Sequence, residues 1–213
     1  GRMVPMVAGW PETVCGTTVD RQCGSSLQTN FNAAAAIWAG QLDVVVSAGV
    51  EMMSRVPMGS NGGDLSDKLL ERWQIVPQGI SAEALASEWN LSREALDAFS
   101  LESHRRAIAA IDDGRFENEI VPVEVGAAGA AVLFAVDEAP RRDTSAEKLA
   151  SLQPAFLPDG VVTAGNSSQI VDGAAALLVV SEAAAGRLGL EPRARFVSFG
   201  LSGVDPYRML HGN

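Results

Sequence analysis

Two short, unbroken apolar runs constrain this chain more than any other feature. They are Asp43-Val44-Val45-Val46-Ser47-Ala48-Gly49-Val50 and Gly173-Ala174-Ala175-Ala176-Leu177-Leu178-Val179-Val180. Neither alternates apolar with polar residues as a half-solvated strand does. Runs of this length read as strands buried on both faces, in the middle of an α/β sheet. The stretch between them is helical and loop-rich. At about a hundred residues it is on the order of one small domain. The sheet-forming part is therefore split in sequence by an insertion.

Around the first run, Val14 to Val19 reads as a strand and Ser25 to Ala39 as a helix. Leu27, Phe31, Ala34, Ala35 and Trp38 recur at three- and four-residue spacing, and Gly40 stops the helix. Strand, helix and strand would form a βαβ unit. After the second run, Ser181 caps a helix closed by Gly189, and Arg195 to Phe199 alternates as a strand does. Within the insertion, Pro57, Gly59, Ser60, Asn61, Gly62 and Gly63 make a loop. Short helices are expected over 66–73 and 81–89, and a long one from the N-cap Ser92 to Asp112 before Gly114. Ile120 to Val125 looks extended, Gly126 to Ala131 small and flexible. Turns at 140–143 and 154–160 flank one more short helix.

Charge narrows the possible partners. The 213 residues carry 16 basic and 26 acidic side chains, a formal charge of −10. Such a field disfavours nucleic acid and anionic membranes, though it leaves room for a small basic pocket around a phosphate. No apolar run reaches the ~18 residues of a membrane span, and no secretory signal is visible. Cys15 and Cys23 are too few for a disulfide framework and have no metal-type pairing with His. No metal is expected, and a cytoplasmic location fits.

The chemistry concentrates at Asp20-Arg21-Gln22-Cys23-Gly24-Ser25-Ser26-Leu27, where a strand-like segment turns into a helix. A helix start exposes unpaired N–H groups and a partial positive charge, and both favour a thiolate. Gly24 allows a ligand or backbone close by. This is the logic of a nucleophile elbow, with the Cys23 N–H able to help hold an oxyanion. Two other arrangements stand beside it: free cysteine also serves as a small apolar core residue, and Cys15 could bridge to Cys23. Cys15, between Val14 and Gly16, suits core packing. A second segment, Thr163-Ala164-Gly165-Asn166-Ser167-Ser168-Gln169-Ile170-Val171-Asp172-Gly173, offers small residues and Asn and Ser donors beside a ligand, or else a simple turn.

Taken together these segments resemble the thiolases. Val19 to Gln28 resembles the segment of the acyl-accepting cysteine. Gly49-Val50-Glu51-Met52-Met53-Ser54 is similar to the family's Gly-x-Glu-x-Met-Ser stretch. Gly165 to Gln169 with Asp172-Gly173-Ala174-Ala175 resembles a second signature, and Gly114-Arg115-Phe116 to Ile120-Val121-Pro122 matches the insertion domain. The matches run in family order over nearly the whole chain.

The resemblance implies a layered α-β-α fold with a helical loop-domain insertion. Residues 1–53 and 162–190 would form the N-terminal thiolase domain, 54–161 the loop domain covering coenzyme A, and 191–213 the start of the C-terminal domain. It implies acyl transfer between coenzyme A thioesters through an acyl-Cys23 intermediate. Arg141 would lie near the adenine-nucleotide end of coenzyme A and Ser168 near its pantetheine arm. Coenzyme A would be a substrate rather than a tightly bound cofactor, and the protein a homodimer or homotetramer. The family also uses a histidine in a Gly-His-Pro type motif, a second cysteine near a Gly-rich tail and an Asn-Glu-Ala-Phe type segment. None of these occurs here, and His104 and His211 receive no catalytic role. The chain is therefore expected to cover about the middle half of a family member and to lack turnover by itself. The alternatives are a non-catalytic subunit that binds acyl-CoA or a scaffold, and a decarboxylating condensing enzyme of the same fold. The Cys23 context argues against the scaffold, and the Glu51–Ser54 and Gly165–Ser168 segments favour the thiolase branch.

Overall fold

The computed structural model of the chain describes residues 1–60, 62–127 and 130–212. Asn61 of the expected loop, Ala128 and Gly129 of the 126–131 stretch, and Asn213 lie outside the described residues. Contacts divide the chain into two units. One holds Gly1–Asn61 and Val171–Leu201, the other Gly62–Ile170 and Ser202–Asn213.

The first unit contains helix α1 (Met3–Val7), helix α2 (Ser25–Trp38) and strand β1 (Val44–Glu51). The chain then leaves, and it returns to this unit for a second strand, Gly173–Val180, and a helix, Glu182–Leu188. The two strands pair antiparallel, with Val44 opposite Val180 and Glu51 opposite Gly173. Apolar, β-branched residues supply the strand propensity. Helix α2 covers one face. Ala33 and Ala34 meet Val179, with Ile37, Val45, Phe196 and Phe199 packed around them, and Thr29 Oγ1 lies 2.7 Å from Ser47 Oγ. Gly49 carries no side chain where the start of α2 passes, because a Cβ there would overlap Ser26 Oγ.

Three expectations are corrected in this unit. Val14–Val19 forms no strand, since among the described residues no neighbouring strand offers it a ladder and only Val19 is even half-buried. The βαβ unit is thus not realised, and the strand pair described in this unit is antiparallel. Nor are the strands covered on both faces: Val44, Val46 and Val50 are 43%, 44% and 73% exposed. Burial along β1 alternates instead, with Val45, Ser47 and Gly49 covered, as one covering layer dictates. Arg195–Phe199 is not a strand either. Its aromatic rings find their burial on α2, Phe199 lying 5.0 Å from Phe31 and 4.8 Å from Trp38, centroid to centroid.

The second unit begins with helices α3 (Asp67–Leu70), α4 (Gln78–Glu88) and α5 (Arg93–Asp112). Strands β2 (Val123–Val125) and β3 (Val132–Phe134) follow as an antiparallel hairpin, then helix α6 (Ala146–Ala150). The strand Gly173–Val180 is therefore β4, and the helix Glu182–Leu188 is α7. Ser92 caps α5 as expected, its Oγ accepting the Ala95 N–H at 3.2 Å, and Gly114 leaves the helix at φ 70°. In the first unit, Ser181 caps α7 in the same way and Gly189 ends it at φ 66°. The core of the second unit mixes Leu85, Ala86, Leu149 and Val162 with buried Ser81, Glu83, Asp97 and Thr163. Buried carboxylates need partners. The Glu83 carboxylate accepts the N–H groups of Val161 at 3.0 Å and Val162 at 2.8 Å. No helix among the described residues is long and apolar enough to cross a membrane.

Candidate active site

Cys23 is free and exposed. It sits in a single 3-10 turn, Gln22–Gly24, that runs straight into α2. The turn is built by its own sequence. Gln22 stands at φ 47°, in the left-handed region that side chains avoid. Hydrogen bonds hold it there. Its N–H donates to Asp20 Oδ1 at 3.1 Å, Ser25 Oγ donates to its carbonyl at 2.9 Å, and the Arg21 N–H donates to that same Oγ at 2.9 Å. Arg21 Nη1 reaches Gln28 Oε1 at 2.5 Å, fixing the turn to the first helical turns. The N-cap of α2 is Gly24, and no side chain caps the helix. The turn itself takes up the first donors of the helix: the Gly24 N–H donates to the Arg21 carbonyl at 3.0 Å and the Ser25 N–H to the Gln22 carbonyl.

Cys15 is also free and exposed, which corrects its expected place in the core. Without a strand at 14–19 its side chain has no layer to pack against. The bridge between the two cysteines is absent as well.

The Glu51–Ser54 stretch and the second signature are joined directly. Asp172 accepts the Ser54 N–H at 3.0 Å and the Ser54 hydroxyl. Chiefly through that hydroxyl, then through the Ser54 and Met53 backbone N–H groups, the Asp172 carboxyl is held below its ordinary value, with desolvation opposing.

Arg141 and Ser168 belong to the second unit, and both are exposed. The segment before Ser168 is rigidly made. Thr163 and Asn166 form a capping box around the short turn Ala164–Asn166. Asn166 Nδ2 also donates to Val161 O at 2.9 Å and to Asp97 Oδ1 at 3.1 Å. Asp97, only 6% exposed, is paired with Arg93 at 2.7 Å, and Arg93 Nη2 donates to the carbonyls of Leu149 and Leu152. Next to Arg141, Arg142 forms a two-pronged pair with Asp112. That pairing lowers the Asp112 carboxyl and raises the guanidinium. No cluster of three or more His, Cys, Asp or Glu fit to hold a metal occurs among the described residues.

Comparison with known proteins settles the family. The family model described as "Thiolase, N-terminal domain" matches residues 1–183. The chain belongs to the thiolase family. It is 45% identical to a 3-ketoacyl-CoA thiolase of Psychrobacter arcticus over 100% of this chain and 55% of that one. It is 42% identical to an acetyl-CoA acetyltransferase of Escherichia coli, over 98% of this chain and 57% of that protein. Among solved structures, the acetyl-CoA acetyltransferase of Bacillus anthracis superposes with a TM-score of 0.84 at 39% identity, covering 97% of this chain and 56% of that one. The fold is thus the thiolase α/β fold. The chain spans little more than half the length of the curated thiolases it matches.

Cys23, Arg141 and Ser168 are the candidates the sequence points to; the groups that hold their segments are not among them. Asp97 had a visible signal, an acidic residue four positions after Arg93 on a helix. Thr163 and Asn166 had another, the three-residue spacing of a capping box. The pairing of Asp172 with Ser54 had none, because it joins positions 118 apart.

Proposed function

We propose that the protein carrying this chain is a thiolase acting on 3-ketoacyl-CoA. The Cys23 sulfur attacks the 3-keto carbon, and the bond between C2 and C3 breaks. The C2 fragment takes up a proton and leaves as acetyl-CoA, while the shortened acyl group stays on sulfur as a thioester. The thiol of coenzyme A then takes that acyl group and returns the proton to Cys23. Splitting one difficult step into two is the benefit of covalent catalysis. The reverse direction is Claisen condensation, and the degradative direction is the chemistry of fatty-acid β-oxidation.

The observation that carries this reading is a free, exposed Cys23 in a hydrogen-bonded turn that runs straight into α2. The names of the relatives support it. Arg141 serves the adenine-nucleotide end of coenzyme A and Ser168 its pantetheine arm. An arginine suits a phosphate-bearing ligand through its fixed fork of donors. Residues 1–53 with 162–190 act as the N-terminal thiolase domain, 54–161 as the loop domain and 191–213 as the start of the C-terminal domain. The protein works in the cytoplasm as a homodimer or homotetramer, with acyl-CoA and coenzyme A as substrates and without nucleic acid.

Incubation of the protein at its natural length with acetyl-CoA, followed by mass spectrometry, tests the reading. The expected product gains one acetyl group; Cys23→Ser abolishes the gain and Cys15→Ser keeps it. An adduct that persists in Cys23→Ser removes Cys23 as the acceptor. The 213-residue chain alone is expected to show no steady-state turnover, because it holds neither the family's histidine motif nor its second cysteine.

A further inference from the structure

The turn that carries Arg141 is held from both sides by residues to which no role has been given. On one side, His104 of α5 accepts the Arg141 backbone N–H at Nδ1, 3.2 Å away. On the other, Gln169, the neighbour of Ser168, donates from Nε2 to the Ala139 carbonyl at 2.6 Å. The turn adds bonds of its own, Ala139 N–H to Asp137 Oδ1 at 3.0 Å and Thr144 N–H to the Arg141 carbonyl at 3.4 Å. The guanidinium of Arg142 is occupied by Asp112. The guanidinium of Arg141, by contrast, makes no hydrogen bond or ion pair among the described residues; its charge acts only at longer range, helping to lower the Asp143 carboxyl after the main effect of Lys148. A backbone fixed this firmly, ending in a cation that no hydrogen bond holds, is a preorganised anion reader. Less side-chain and loop freedom is lost when the ligand arrives.

We propose that His104 and Gln169 are positioning residues. Together they brace residues 139–141 against α5 and against the Ser168 segment, so that Arg141 is presented to the nucleotide end of coenzyme A. The proposal rests on the reading of Arg141 as a coenzyme A contact. His104 acts as a hydrogen-bond acceptor in this role, and Gln169 as a donor. Because Gln169 ties the Arg141 turn to the residue next to Ser168, the brace also sets the span between the two candidate contacts.

The test is equilibrium binding of coenzyme A and of pantetheine, which lacks the nucleotide, to the protein at its natural length. His104→Leu and Gln169→Leu are each expected to weaken coenzyme A by about 5- to 10-fold, about 1.0–1.4 kcal/mol on the affinity scale. Pantetheine binding should stay within about twofold, since it never reaches Arg141. His104→Asn, whose amide oxygen replaces Nδ1, should restore coenzyme A affinity, which a merely structural loss would not allow. In an Arg141→Ala background, His104→Leu should have no further effect. Two results overturn the brace while leaving the role of Arg141 intact. Either the Leu variants weaken both ligands alike, or they weaken neither although Arg141→Ala selectively weakens coenzyme A. If Arg141→Ala itself leaves the preference for coenzyme A over pantetheine unchanged, the nucleotide role of Arg141 fails and the brace fails with it.

Discussion

Gly49 and Ser26 show how little space separates the Cys23 turn from the strand beneath it. A Cβ on Gly49 would overlap Ser26 Oγ and lie 3.3 Å from Ser26 Cβ. Gly49→Ala is therefore expected to destabilise by about 1–3 kcal/mol, the range for overpacking. Adding Ser26→Ala removes the colliding oxygen and should recover most of the loss, a non-additivity read from urea midpoints of the two single variants and the double variant. In the sequence Gly49 stands out only as part of a motif; its reason is steric and lies in the packing of α2 on β1. Asp172 makes a second prediction. Its carboxyl sits below the ordinary 3.8 because Ser54 donates to it from hydroxyl and backbone. The folded state thus binds this proton more weakly than the unfolded state. The resulting stability is fully present above about pH 4 and is lost as pH falls through the depressed folded value. Ser54→Ala should move the Asp172 titration, followed by NMR, upward toward 3.8. It should also flatten the acid limb of the stability curve. An unchanged titration would remove the hydroxyl as its main cause.

Among the elements, α5 has the most work to do. Through Asp97 it holds the Asn166 turn, through Arg93 the end of α6, and through His104 the Arg141 turn. Asp97→Asn keeps the shape but cannot accept from both Arg93 and Asn166. It leaves a largely buried guanidinium without its carboxylate. Breaking such a pair costs about 3–5 kcal/mol in full burial; with Arg93 18% exposed, about 2–3 kcal/mol is expected. Hydrogen exchange should show the loss concentrated in 161–169 and the end of α6, whereas uniform loosening would deny α5 its role as hub. The helix itself was legible in the sequence from end to end, because Ser92 and Gly114 are local signals that act on the next few residues. So were the cap of α7 by Ser181 and its end at Gly189. Val14–Val19 and Arg195–Phe199 read equally well as strands and are not. A strand needs a partner at a distance, and alternation in one segment says nothing about where that partner lies. The turn around Cys23 falls between these cases. Its place was visible, but the left-handed Gln22 and the bonds of Asp20 and Ser25 that hold it were not.

For the molecule as a whole, the question is what the open face of the β1–β4 pair does. In antiparallel register, Val44, Val46, Ala48 and Val50 share a face with Val180, Leu178, Ala176 and Ala174. α2 covers the β1 side of the opposite face, where Leu177 of β4 stays 57% exposed, and on the open face Leu178 is 52% exposed. The buried apolar residues beneath α2 are small: Ala33, Ala34 and Val179. A two-stranded pair with one thin layer is marginal in water, and contiguous apolar surface of this kind invites association. The apolar character of both strands is legible in the sequence and suggests two covering layers, but composition states what a strand tolerates rather than what lies against it. The 213-residue chain prepared alone is accordingly expected to bind the dye ANS strongly and to self-associate with rising concentration in sedimentation velocity. Val46→Lys together with Leu178→Lys places two like charges opposite each other on that face. It should reduce both signals by several-fold while leaving the far-UV circular dichroism unchanged. If the lysine variant binds dye as strongly as the parent, the adhesive surface lies elsewhere, and the exposure of Val44, Val46 and Leu178 has no consequence in solution.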